Sequence, residues 1–192
     1  MKPGLLPRVC SVLVLTLLAA CMGPARPPVH SMNDVAGDEV LIVGRVELVP
    51  KLEKGEQKVS GRLRNKVMLL TGVKLKRFDS EPGPGDHRMR IEAIFDKTFF
   101  VASLKNPFYI LVGELWMNGG DRVYFPGGLK VNVRPTDKAV YIGTLRYHRD
   151  EFFHFTKFDV IDDYERAQAE FRTEFGGGRL TKALAVPVKE TK

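Results

Sequence analysis

Phe108-Tyr109-Ile110-Leu111-Val112-Gly113-Glu114-Leu115-Trp116, followed closely by the turn Asn118-Gly119-Gly120-Asp121, is the most strand-like stretch of this 192-residue chain. Its aromatic and β-branched side chains crowd a helical turn but pack well on a pleated sheet. The glycines behind it reach positive φ at no steric cost, so the chain can reverse there. Working outward, similar runs lie at residues 40–49, 66–75, 87–95, 98–104, 130–134, 139–146 and 152–158. Pro82-Gly83-Pro84-Gly85-Asp86 and Pro126-Gly127-Gly128 supply further turns between them. Short strands with tight connections predict a mainly β fold, an antiparallel β-sandwich of about seven to eight strands, with a small barrel as the related solution.

One amphipathic helix is expected over residues 163–175, packed on that sandwich. Tyr164, Ala167, Phe171 and Phe175 fall on one stripe, and Asp162 with Glu165 has the spacing of a capping box. Gly176 suits the left-handed position after the last turn, and Gly177 and Gly178 prevent continuation. The tail 180–188 is apolar enough to dock as a final strand or extended segment, and Pro187 favours an edge.

The amino terminus has a different character. Lys2 and Arg8 precede an apolar run from Val9 to Ala20 that closes on Leu18-Ala19-Ala20-Cys21. An apolar core of about a dozen residues is too short to span a bilayer permanently, so it reads as a cleaved secretory signal. The stretch resembles the precursor of a bacterial lipoprotein, with Leu18-Ala19-Ala20-Cys21 as its lipobox. The resemblance implies cleavage before Cys21, a covalent diacylglycerol on its thiol and usually a further acyl chain, which together give stable anchoring. Met22 follows the cysteine in place of the aspartate that commonly signals inner-membrane retention in enterobacteria. The outer membrane is therefore expected, on the periplasmic face in preference to the cell surface, with the inner membrane as the alternative.

The expected organisation is a signal over 1–20, lipidated Cys21 with a Pro/Gly-rich tether over 21–37, and a single β-rich domain over 38–192. Cleavage removes Lys2 and Arg8, lowering the net charge from +7 to +5. Cys10 leaves with the signal and Cys21 carries lipid, so no thiol remains for disulfide, metal or nucleophilic chemistry. The basic balance of an exported chain points to envelope anions and not to nucleic acid. Arg62, Arg64 and Lys66 alternate, as do Lys74 and Lys76, which reads as the solvated faces of two strands before it reads as an anion-binding surface. Residues 139–146 contain Tyr141-Ile142-Gly143-Thr144-Leu145, a strand similar to those of transthyretin-like and carboxypeptidase-regulatory-like sandwich lipoproteins.

No phosphate loop, nucleophile elbow, zinc-protease helix or cysteine pair dictates a chemistry. His148 and His154 could ligate a metal only if Arg149-Asp150-Glu151 turns and makes them cross-strand neighbours; otherwise they are surface histidines flanking a hairpin. Asp159, Asp162 and Asp163 are better explained by the helix start than by acid/base work. Trp116 with Phe108 and Tyr109 could form an aromatic platform, but their alternation with Ile110, Val112 and Leu115 favours the core. The expectation is a non-enzymatic, lipid-anchored protein with a structural or binding role, accessory to an envelope assembly. Its partners would be the membrane and envelope proteins, and its only cofactor-like group the covalent lipid on Cys21. Capture of a glycan, metal or anionic lipid is the alternative, and an envelope hydrolase a third, disfavoured for want of a visible nucleophile and base.

Overall fold

The computed structural model describes residues 26–59, 65–73, 89–117, 122–150 and 154–188, apart from the side chains of 57–59 and Trp116. Among the described residues, eleven strands form two sheets. The first contains β1 (Glu39–Val49), β4 (Thr98–Leu104), β8 (Ala139–Arg149), β9 (Phe155–Ile161) and β10 (Thr181–Lys182). The second contains β2 (Lys66–Gly72), β3 (Met89–Ile94), β5 (Phe108–Trp116), β6 (Arg122–Phe125), β7 (Leu129–Val131) and β11 (Val186–Pro187). A short α1 (Lys54–Val59) follows β1, and α2 (Tyr164–Phe175) follows β9.

The first sheet is covered on both faces, which is why β1 and β8 read as almost unbroken apolar runs. One face meets the second sheet around Ile42, Leu69, Ile91, Phe108, Ile110, Phe125 and Leu145. The other meets α2: Leu41, Val43 and Tyr141 pack with Ala167, Phe171 and Leu180, flanked by Tyr164 and Phe175. The fold is thus the expected β-sandwich with its carboxy-terminal helix laid on one sheet. Most pairs run antiparallel, but β1 runs parallel to β8, and so does β10. A parallel pair requires a long crossover, and here the connection from β1 to β8 contains the whole of β2 to β7.

Glycines set close approaches within the first sheet. A Cβ on Gly44 of β1 would stand 2.6 Å from the Phe99 ring, so only glycine fits. Gly143 in β8 has φ +105° and lies where the strand changes neighbour, from β10 at Val140 and Tyr141 to β9 from Thr144 onward. Beyond β10, Ala183 and Ala185 donate to the Tyr141 and Ile142 carbonyls, and Val188 donates to Gly128. The tail therefore bridges the sheets, and Pro187 occupies the outermost strand, as expected of proline.

Several boundaries differ from the sequence reading: β8 runs on to Arg149 and β9 covers Phe155–Ile161 where 139–146 and 152–158 were expected, and the helix start and the tether differ as well. The N-cap of α2 is Asp163, whose side chain makes no capping bond, while Asp162 pairs with Lys182 at 2.7 Å. The Asp163 amide donates instead to the Tyr141 hydroxyl at 3.0 Å, so a tyrosine beneath the helix replaces the expected capping box. Gly176 does take the left-handed position, φ 71°, with its amide on Arg172 O. At the other terminus, the part of the expected tether from Arg26 to Gly37 lies along the domain. Pro28 bridges Val101, Val29 donates to Phe100 O at 2.8 Å and buries its side chain, and Met32 and Val35 join the layer containing α2.

Candidate functional site

Val49 is paired with His148, so β1 and β8 finish together at one end of the sandwich. The chain leaves that end through the cis Val49–Pro50 bond and enters α1. Arg149, buried at the tip of β8, ties the exit down. Its Nε donates to Pro50 O at 2.9 Å, its Nη2 to Lys51 O at 2.8 Å, and the guanidinium pairs with the Glu56 carboxylate of α1. That hydrogen-bonded pairing holds the Glu56 carboxyl below its usual value, against the opposing effect of burial.

Beside this staple lies a cavity of about 350 Å³ lined by Leu48, Lys51, Leu52, Asn65, Lys66, Ile94, Phe95, Asp96 and Lys97. Asn65 and Asp96 both adopt left-handed φ, 60° and 63°, which Asn and Asp tolerate better than other side chains. Phe95 N donates to Asn65 O and Asp96 N to Val46 O, each at 2.8 Å, so backbone bonds fix the rim. Lys51 pairs with Asp96 at 3.0 Å and Lys66 with Glu92. Lys97 has no ion-pair partner among the described residues. The lining thus combines three lysines and one carboxylate, Asp96, with apolar Leu48 and Phe95, a composition suited to an anionic group carrying an apolar body.

The chain reverses later than the expected turn at Arg149-Asp150-Glu151: Arg149 still belongs to β8 and pairs with Phe155, and Asp150 N donates to His154 O. The reversal does not assemble a common site from the two histidines. His148 Nε2 lies 3.0 Å from Asp159 Oδ2, while His154 Nδ1 lies 2.8 Å from Asp150 Oδ1. Among the described residues no group of three or more His, Cys, Asp or Glu side chains is placed to hold a metal ion. Asp159 also accepts Lys157 at 2.8 Å, and its carboxyl is lowered first by Lys157 and then by His148. Asp162 and Asp163 are likewise engaged, with Lys182 and Arg166.

Phe108, Ile110 and Leu115 are fully buried between the sheets and Tyr109 is half-buried, so this strand supplies core. Trp116 lies in β5 by its backbone; its side chain, together with Cys21, Arg62, Arg64, Lys74 and Lys76, falls outside the described residues.

A charged lattice under α2 escaped the sequence reading. Glu47 accepts Arg146 Nη2 at 2.8 Å and stands 3.1 Å from Arg45 Nε, while Arg166 and Glu170 reach in from the helix. Thr98 also bonds Glu170. The signal was the pair Arg45 and Glu47, two charges on one face of an otherwise apolar strand. Their function is positional: they fix the helix over the sheet beside the β3–β4 turn, where Arg45 Nη2 donates to Asp96 O at the cavity rim. In comparisons with known proteins, no family model, no curated protein and no solved structure matches the chain.

Proposed function

We propose that this chain is a bacterial lipoprotein, anchored through Cys21 and serving a non-catalytic binding role in the cell envelope as the accessory component of an assembly. The observation that carries the reading is the basic start, apolar run and Leu18-Ala19-Ala20-Cys21 ending in a single short leader. Two or three acyl chains would hold the protein permanently, each buried methylene contributing about 0.8 kcal/mol. The outer membrane, periplasmic face, is the proposed location. The histidines and aspartates first weighed for catalysis or metal ligation are held in ion pairs: His148 and Lys157 with Asp159, His154 with Asp150, Arg166 with Asp163 and Lys182 with Asp162.

The test is affinity purification of the full-length protein from crosslinked envelopes beside a Cys21→Ala control. A small reproducible set of envelope proteins, lost in the control, supports the reading. The absence of specific partners despite confirmed lipidation contradicts the assembly role.

The lysine-rimmed cavity favours a second reading, capture of an anionic amphiphile. Titration with a short-chain phosphatidylglycerol below its micelle concentration examines it directly. Saturable binding weakened by Lys97→Glu supports capture, and heat signals identical to those for the neutral phosphatidylcholine analogue argue against it.

A further inference from the structure

We infer that the end of the sandwich opposite the cavity rests on the bilayer that holds the anchor, so that the cavity end points away from the membrane. The inference rests on the lipoprotein reading and adds an orientation to it. It follows from how little free chain separates Cys21 from the folded domain. Arg26 is already docked, its amide on Arg90 O at 3.3 Å and its guanidinium 2.9 Å from Glu39. Val29, three residues on, is buried. Only Met22-Gly23-Pro24-Ala25 lies between, and five Cα steps from Cys21 to Arg26 span at most about 18 Å. A tether running freely to Gly37 would reach roughly 55 Å and leave orientation unconstrained.

The strand registers show which end Arg26 occupies. Glu39 is paired with Leu104, the last residue of β4, and Leu41 with Ala139, the first of β8. Arg90 lies at the start of β3, where Thr71 pairs with Met89 and Gly72 with Tyr109. All of these lie at the end remote from Val49, Lys66 and Arg149. The eleven residues of β8 make the sandwich about 36 Å tall, twice the reach of the four-residue link. Inversion of the domain on the membrane would therefore require Arg26 to Val35 to peel from the sheet.

The membrane-facing end has a fitting surface. Val73 and Leu104 are exposed large apolar side chains. Lys138 is exposed, and Lys105 is half-buried with its ammonium on Gly37 O at 2.7 Å. Asp38 opposes these charges, while Arg26 with Glu39 and Arg134 with Asp137 form pairs. Basic groups among small apolar projections suit the interface of an anionic bilayer, whose negative surface potential attracts lysines close to it.

The chain's only cysteines are Cys10 and Cys21, so in the processed, acylated protein a third introduced cysteine is the sole free thiol. Asn106→Cys places a fluorophore at the near end and Lys54→Cys at the far end, both at exposed positions. The lipidated variants are reconstituted into phosphatidylethanolamine/phosphatidylglycerol vesicles carrying a headgroup-attached quencher. Quenching at residue 106 with an unchanged signal at residue 54 is expected. Insertion of a long Gly/Ser segment between Ala25 and Arg26 should reduce the difference. Equal quenching of both labels, or stronger quenching at 54, in protein that floats with the vesicles overturns the orientation while leaving the anchor intact. Protein that fails to float overturns both.

Discussion

The Arg149 guanidinium and the Glu56 carboxylate, 93 residues apart, meet at the end of β8 with Nη2 2.8 Å from Oε2. Arg149 is buried and its charge cannot be returned to water without moving α1 and the Pro50–Lys51 link that it also holds. Glu56→Gln should therefore destabilise the domain by about 1–3 kcal/mol in denaturant unfolding, since Arg149 keeps its bonds to Pro50 O and Lys51 O but loses the carboxylate that balances its buried charge. The same pair gives a pH dependence. The folded-state carboxyl titrates below its ordinary 4.5, so its stabilisation is present above that value and is lost as pH falls through the lower, folded-state value. Glu56→Gln should flatten that acid limb; an unchanged limb would show that other carboxylates govern it.

Phe171 is the largest buried apolar side chain of the helix. Phe171 is buried against the first sheet and packs on Phe175 with ring centroids 5.0 Å apart. Phe171→Ala should lose about 3–5 kcal/mol in equilibrium unfolding, whereas Arg172→Lys on the exposed face should stay within about 0.5 kcal/mol. Similar losses for both would mean that α2 is not packed through this face.

Glycine substitutions should rank by what a new methyl meets. At Gly127 it would lie 2.1 Å from Leu111 O, a backbone atom that cannot turn aside. At Gly143 it would meet Val160 Cγ1 at 2.7 Å, on a residue already at φ +105°. At Gly37 it meets nothing within 4 Å. Thermal unfolding should place Gly127→Ala lowest, Gly143→Ala next, with a loss of about 1–3 kcal/mol, and Gly37→Ala near the parent protein.

Asp159 gives a local electrostatic test. By carbon-detected NMR its carboxyl should titrate below the normal aspartate value of 3.8. Lys157→Ala should raise that midpoint more than His148→Ala does, because the lysine is the larger cause. The opposite order would mean that the imidazole dominates this carboxylate.

Local pattern was enough for β4 and β5, which occupy the bounds expected of them because each is a run of sheet-favouring residues closed by turn residues. The four residues of β6, Arg122 to Phe125, were hidden because so short a run between turns has no readable period. The parallel union of β1 with β8 was equally invisible, since periodicity says which face is buried and not which strand lies beside it. Docking of Val29 was obscured by the neighbouring prolines, which read as tether. Pairings such as Glu47 with Arg146 join residues 99 apart and arise only from the fold. For the candidate site, His148 and Lys66 could be singled out from sequence, but the cavity required Lys51, Asn65 and Asp96 to converge from three separate connections.

The most direct test of the account is the mass of the amino-terminal peptide of the protein extracted from its native envelope. A lipoprotein processed at Leu18-Ala19-Ala20-Cys21 yields a peptide beginning at Cys21 and carrying a diacylglycerol on sulfur, and Cys21→Ala loses membrane association. An unmodified Cys21 in a chain that still begins at Met1, or a mature protein cut at another position, would contradict it.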